Sequence, residues 1–144
     1  MKTIVVGYDD TEAAKRALDR AAELTKAFDA KLFVTSVAPT LEPASARGTG
    51  GIDPTDTPQR HVAELANARA HLEGLGVSAE YQGAVGEPAE AIVQFANEQG
   101  ADLIVVGTRE LGVIGRILGQ SVSDSVAHRA HCDVLIVHSP HTSA

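Results

Sequence analysis

At 144 residues with 44% hydrophobic content, the chain can bury one core without disulfides or metal, which predicts a single domain over 1–144; aromatics are only 3% and Trp is absent, so Ala, Val, Leu and Ile do the packing. Lys plus Arg number 12 against 19 Asp plus Glu, and the net charge of -7 repels a polyanion, excluding nonspecific nucleic-acid binding. No apolar run approaches the roughly 20 residues that span a bilayer, and Met1-Lys2-Thr3 leads straight into a strand pattern rather than a signal peptide, so a soluble cytoplasmic protein without membrane contact is expected.

Thr3 to Gly7 is a nearly unbroken β-branched run, the pattern of a strand buried on both faces of a parallel sheet. Asp10 or Thr11 then caps a helix whose inward positions are Leu18, Ala21, Ala22, Thr25 and Phe28. Lys31 to Val37 reads as a second strand. From Ala38 to Arg60 the character changes, and four of the six prolines fall there, so 38–60 is expected to be a variable loop that partly covers a ligand site. From His61 the spacing Val62, Leu65, Ala66, Arg69, Leu72 predicts a helix stopped by Gly74 and Gly76, and Val77 to Gln82 follows as a third strand.

Gly86-Glu87-Pro88 opens another helix with Ile92, Val93, Phe95 and Ala96 on its apolar face. Leu103 to Val106 is the clearest buried strand, a Gly-rich stretch leads to a helix from about Ser121, and Val134 to Val137 is the last strand. This alternation predicts an α/β fold: an open five-stranded parallel sheet, Rossmann-like, in strand order 3-2-1-4-5 with helices on both faces. Ligands of such sheets sit at the carboxyl ends of the strands where the winding reverses, here Gly7 to Asp10, Val37 and Gly107 onward.

The stretch Gly107 to Ser123 joins a buried strand to a helix start. Glycines there allow close approach of a phosphate, unpaired N–H groups and Ser hydroxyls can hold it, and Arg109 and Arg116 add charge. No Gly-Lys-Ser/Thr follows, so it is not a Walker A loop. Gly7-Tyr8-Asp9-Asp10-Thr11 places two carboxylates at the same edge, Asp9 suited to a ribose and Asp10 to a helix cap. His128, His131 and Cys132 lack a fourth ligand at recognisable spacing, so no metal site is assigned, and the single Cys132 reads as a small buried hydrophobe. No Gly-x-Ser-x-Gly elbow supports a hydrolase. A phosphoacceptor receiver would need an Asp ending strand three and a Lys ending strand five, and Tyr81-Gln82-Gly83 and His138-Ser139 supply neither.

Val5-Val6-Gly7-Tyr8-Asp9, Gly86-Glu87-Pro88-Ala89-Glu90-Ala91-Ile92, Ala101 to Gly107, Ser121-Val122-Ser123 and Cys132 to Val137 together resemble the universal stress protein family, from Thr3 to His138. Many members bind ATP through Gly, two residues, Gly, nine residues, then Gly followed by Ser or Thr. Gly107 and Ser121 match the ends of that pattern, whereas Glu110 and Gln120 stand at its second and third glycines, with Gly112, Gly115 and Gly119 at other offsets. An anionic Glu110 is better matched to AMP or cyclic AMP than to a triphosphate. The resemblance implies that Asp9 contacts the ribose, that backbone near Gly7 and Val37 brackets the adenine, and that Gly107 with Ser121, Val122 and Ser123 holds the phosphates. The candidate site is thus Gly7, Tyr8, Asp9, Val37, Gly107, Thr108, Arg109, Gly112, Gly119, Ser121, Val122 and Ser123. It implies ATP, with or without magnesium, or a smaller adenosine phosphate, and a homodimer through Val134 to Val137, an exposed edge prone to pair. The expected function is a stress-response regulator without catalysis beyond slow, incidental ATP hydrolysis. The alternative is a dimeric interaction module of the same family that binds no nucleotide.

Overall fold

The computed structural model describes residues 1–38, 58–108 and 122–138. Strands β1 (Thr3–Gly7), β2 (Lys31–Ala38), β3 (Glu80–Val85), β4 (Leu103–Gly107) and β5 (Asp133–Val137) alternate with helices α1 (Glu12–Phe28), α2 (Pro58–Gly74), α3 (Pro88–Gln99) and α4 (Val122–Arg129). The strands form one parallel sheet in the order β3-β2-β1-β4-β5, as the alternation predicts. Val5 lies opposite both Phe33 and Ile104, so β1, β2 and β4 carry the most apolar segments side by side.

Side chains alternate across each strand, which divides the core in two. Ile4, Val6, Leu32 and Val34 pack with Leu18 and Ala21 of α1 and Ala68 and Leu72 of α2 on one face. Val5, Phe33, Ile104 and Val106 pack with Ile92 and Phe95 of α3 and Val126 of α4 on the other, where Phe33 and Phe95 meet edge to face at 5.8 Å. Cys132 is half-buried against this second face. Burial, then the charges of Asp133 and Asp102, push its thiol above the ordinary range.

The cap of α1 is Thr11, whose hydroxyl accepts from Ala14 N at 3.1 Å. Asp10, the other cap candidate, instead takes a left-handed conformation at φ 62. Glu87 caps α3, accepting from Ala89 N and Glu90 N, with Pro88 in the first turn where a missing N–H costs nothing.

Three details depart from the periodicity. Phe28 is 52% exposed: Thr25 is the last buried position of α1, and one turn later the helix has passed the lower rim of the sheet where β2 begins. The third strand runs from Glu80 to Val85 rather than from Val77. Val77 is buried because Gly76, at φ 74, turns the chain so that Val77 N bonds Leu72 O and the two side chains share the core, a helix-stop contact with an apolar residue. In α2, Val62 is 68% exposed, and the inward residues are Glu64, Ala68 and Leu72.

Candidate functional site

Glycines end two neighbouring strands, for a packing reason in each case. A β-carbon on Gly107 would stand 2.4 Å from the Ala13 carbonyl oxygen, so the seat of α1 on β4 requires glycine. A β-carbon on Gly7 would meet Ile92 Cδ1 at 2.9 Å, the movable end of a side chain. Beyond Gly7, Tyr8 N donates to Thr35 O at 2.9 Å. Asp9 Oδ1 then accepts from Thr11 N at 3.2 Å and Thr11 Oγ1 at 2.7 Å, which fixes its carboxylate beside the helix start. Asp10 Oδ2 accepts from Asn67 Nδ2 at 3.0 Å and ties this turn to α2.

These turns enclose a cavity of about 350 Å³ at the carboxyl ends of β1, β2 and β4. Among the sequence candidates, Gly7, Tyr8, Asp9, Val37, Gly107 and Val122 line it. Thr108 and Ser123 are not among the lining residues. Thr108 N donates to Val137 O at 2.9 Å, and Ser123 is buried within α4. Arg109, Gly112, Gly119 and Ser121 lie outside the described residues, as do the departures Glu110 and Gln120 and the 39–57 part of the expected cover.

The cavity also carries residues the apolar spacing did not single out: Thr35, Arg60, His61 and Glu64. Ser36 Oγ donates to Glu64 Oε1 at 2.7 Å, and His61 Nδ1 lies 2.8 Å from the same oxygen and from Ser36 Oγ. That nitrogen therefore carries a proton. Glu64 is only 2% exposed, and such a carboxylate is tolerated because two donors meet it and Arg60 Nε stands 3.7 Å from Oε2. Thr35 Oγ1 is buried with no hydrogen-bond partner among the described residues. A visible signal existed for both hydroxyls, since Thr35-Ser36 interrupts an aliphatic strand at its carboxyl end. Glu64 carried none, because a glutamate in a helix ordinarily faces solvent.

Carboxylates shape the electrostatics of the base of this space. Burial first, then the hydrogen bond and charge of Asp10 and the charges of Asp9 and Glu64, push the Tyr8 hydroxyl well above its ordinary range. Tyr8 is therefore a neutral donor at physiological pH. On the opposite side, the start of α4 at Val122 reaches the cavity beside Gly107. The chemistry is graded, with acceptors toward α2 and a helix start toward β4.

The universal stress protein family model matches residues 1–138. The chain is 40% identical to the universal stress protein Rv1636 of Mycobacterium tuberculosis over 149 aligned positions, covering 96% of this chain and 97% of that protein. It is 37% identical to a universal stress protein of Thermus aquaticus, covering 94% and 98% of the two chains. Among solved structures, a universal stress protein in complex with cAMP superposes with a TM-score of 0.76 at 32% identity, covering 96% of this chain and 98% of that one. The universal stress protein of Archaeoglobus fulgidus in complex with dAMP superposes with a TM-score of 0.67 at 26% identity, covering 95% and 98%. No described helix is long and apolar enough to cross a membrane.

Proposed function

The chain belongs to the universal stress protein family, and from that premise we propose that it is a stress-response regulator that binds an adenine nucleotide at the carboxyl ends of β1, β2 and β4. The observation that carries the reading is a cavity that collects Asp9, Val37, Gly107 and Val122 from both sides of β1. In it, Asp9 meets the ribose, the backbone at Gly7 and Val37 brackets the base, and Gly107 with Ser121, Val122 and Ser123 holds the phosphates; Tyr8, Thr108, Arg109, Gly112 and Gly119 complete the surroundings. The relatives bound to cAMP and dAMP support an adenosine phosphate as the ligand.

The residues fit such a molecule. The cavity lies within the roughly 300–1,000 Å³ of small-molecule sites, and the buried Thr35 hydroxyl lacks a partner among the described residues, which a polar ligand edge would supply. No group of three metal-ligating side chains occurs among the described residues, so magnesium would arrive on the phosphates of ATP. The role is regulatory rather than catalytic, with ATP hydrolysis at most slow and incidental, in one domain spanning 1–144. The expected setting is the cytoplasm, where the lone Cys132 remains a thiol.

Calorimetric titration with ATP, ADP, AMP and cyclic AMP, each with and without magnesium, is expected to give saturable heat for at least one. Silence across all four would leave the dimeric interaction module. That second reading has support in β5, which among the described strands pairs with β4 alone and leaves Val134, Leu135 and Ile136 half-buried at a sheet edge. A homodimer through this strand belongs to both readings, and sedimentation at micromolar concentration should return twice the chain mass.

A further inference from the structure

The covalent order of a nucleotide runs phosphate, ribose, base and, farthest from the phosphate in a purine, the substituent on C6. The cavity offers the same order across the sheet: Gly107 and the α4 start, Asp9 at β1, Val37 and Thr35 at β2, and Glu64 on α2. Phosphates are held away from the α2 side because Glu64 there is buried and anionic, whereas the helix start at Val122 favours negative charge. The base then points its C6 edge at Glu64.

Glu64 Oε1 already accepts from Ser36 Oγ and sits against His61 Nδ1, and Arg60 Nε stands 3.7 Å from Oε2. An ionised carboxylate accepts and cannot donate. It therefore suits an exocyclic amine and opposes a carbonyl oxygen. We propose that Glu64 is the specificity determinant that selects a 6-amino purine over a 6-oxo purine in this cavity. The proposal rests on the nucleotide reading above but adds a residue outside the family's glycine and serine pattern.

The test is calorimetric titration of the full chain with AMP, inosine monophosphate and purine riboside monophosphate, which differ at C6 and, for the 6-oxo compound, in the proton that N1 carries. Wild type should bind AMP at least about tenfold more tightly than the inosine compound, with the unsubstituted purine between, since an oxo group leaves a buried acceptor facing another acceptor. In Glu64→Gln the amide can turn its NH₂ toward a carbonyl, and the AMP preference should fall to within about threefold. Far-UV melting of the variant reports folding, and the ligand series on wild type stands should it fail to fold. Equal affinity of wild type for AMP and the inosine compound, or an unchanged preference in folded Glu64→Gln, would overturn the specificity role while leaving nucleotide binding intact. Absence of heat with AMP and all other nucleotides would remove both.

Discussion

Gly107 sits against Ala13 so closely that a β-carbon at 107 would lie 2.9 Å from the Ala13 β-carbon and 2.4 Å from its carbonyl oxygen. The first turn of α1 is thus seated on the end of β4 by two of the smallest residues. The same seat brings Asp9 and Thr11, at the entrance of α1, to the rim that Gly107 shares. Gly107→Ala must push backbone, not a flexible side chain, and should lower stability by about 3 kcal/mol or more. Urea denaturation followed by far-UV dichroism reads this directly, and an unchanged midpoint would mean that α1 is free to ride away from β4.

Gly7→Ala presents the milder case. The first obstacle is Ile92 Cδ1 at 2.9 Å, with Ile92 Cγ1 at an ordinary 3.6 Å, so one rotation of the isoleucine makes room. A loss of about 1 kcal/mol is expected in the same urea experiment, smaller than for Gly107→Ala. Equal losses at the two glycines would contradict the distinction between movable and fixed neighbours.

The sheet order was legible because β1, β2 and β4 are aliphatic runs whose burial on both faces leaves few alternatives. The cavity's position followed from topology, and Gly7, Asp9, Val37 and Gly107 with it. What spacing could not supply was the rotation of α2. Val62, Leu65, Ala66, Arg69 and Leu72 form a plausible stripe, yet Glu64 and Ala68 face inward and Val62 faces water. The exchange is decided from the sheet, by Ser36 of β2 meeting His61 and Glu64, and partners 25 and 28 residues away leave no trace in local periodicity. Val77 misleads for a related reason, since an apolar residue after Gly76 marks either a strand start or a helix-stop contact.

Asp29 ends α1 in a left-handed conformation at φ 52, while its N–H bonds Thr25 O. A side chain there is strained, and the equivalent position after α3 is Gly100 at φ 66. Asp29→Gly should raise stability by about 0.5–1 kcal/mol, the relief of the β-carbon exceeding the added freedom of the unfolded chain. A lower denaturation midpoint in Asp29→Gly would show the aspartate to be a net benefit.

Ser121 and Ser123 divide the proposed phosphate contacts. Ser123 is 3% exposed and partnered within the fold, so Ser123→Ala should cost about 1 kcal/mol of stability. Combined with Ser121→Ala it should weaken nucleotide binding by about 1–3 kcal/mol, the range of charge-assisted hydrogen bonds. Unchanged affinity of the double variant for every nucleotide that wild type binds would remove both hydroxyls from the site.

Both tyrosines of the chain ionise at higher pH than the free side chain. Burial raises Tyr81 despite the nearby Arg69, which lowers it, and Glu73 adds to the rise; at Tyr8 burial is reinforced by Asp10, Asp9 and Glu64. In the unfolded chain each hydroxyl loses its proton near pH 10. Between that value and the folded one, the unfolded state binds fewer protons, so stability is fully present below about pH 10 and falls as pH rises through the folded values. Absorbance titration of the phenolates should therefore show both transitions above that of free tyrosine, with Tyr8 last. Urea midpoints measured from pH 8 to 11 should decline over the upper part of the range, and Tyr8→Phe should flatten the decline. A Tyr8→Phe protein with the wild-type slope would mean that Tyr8 ionises as freely in the fold as outside it.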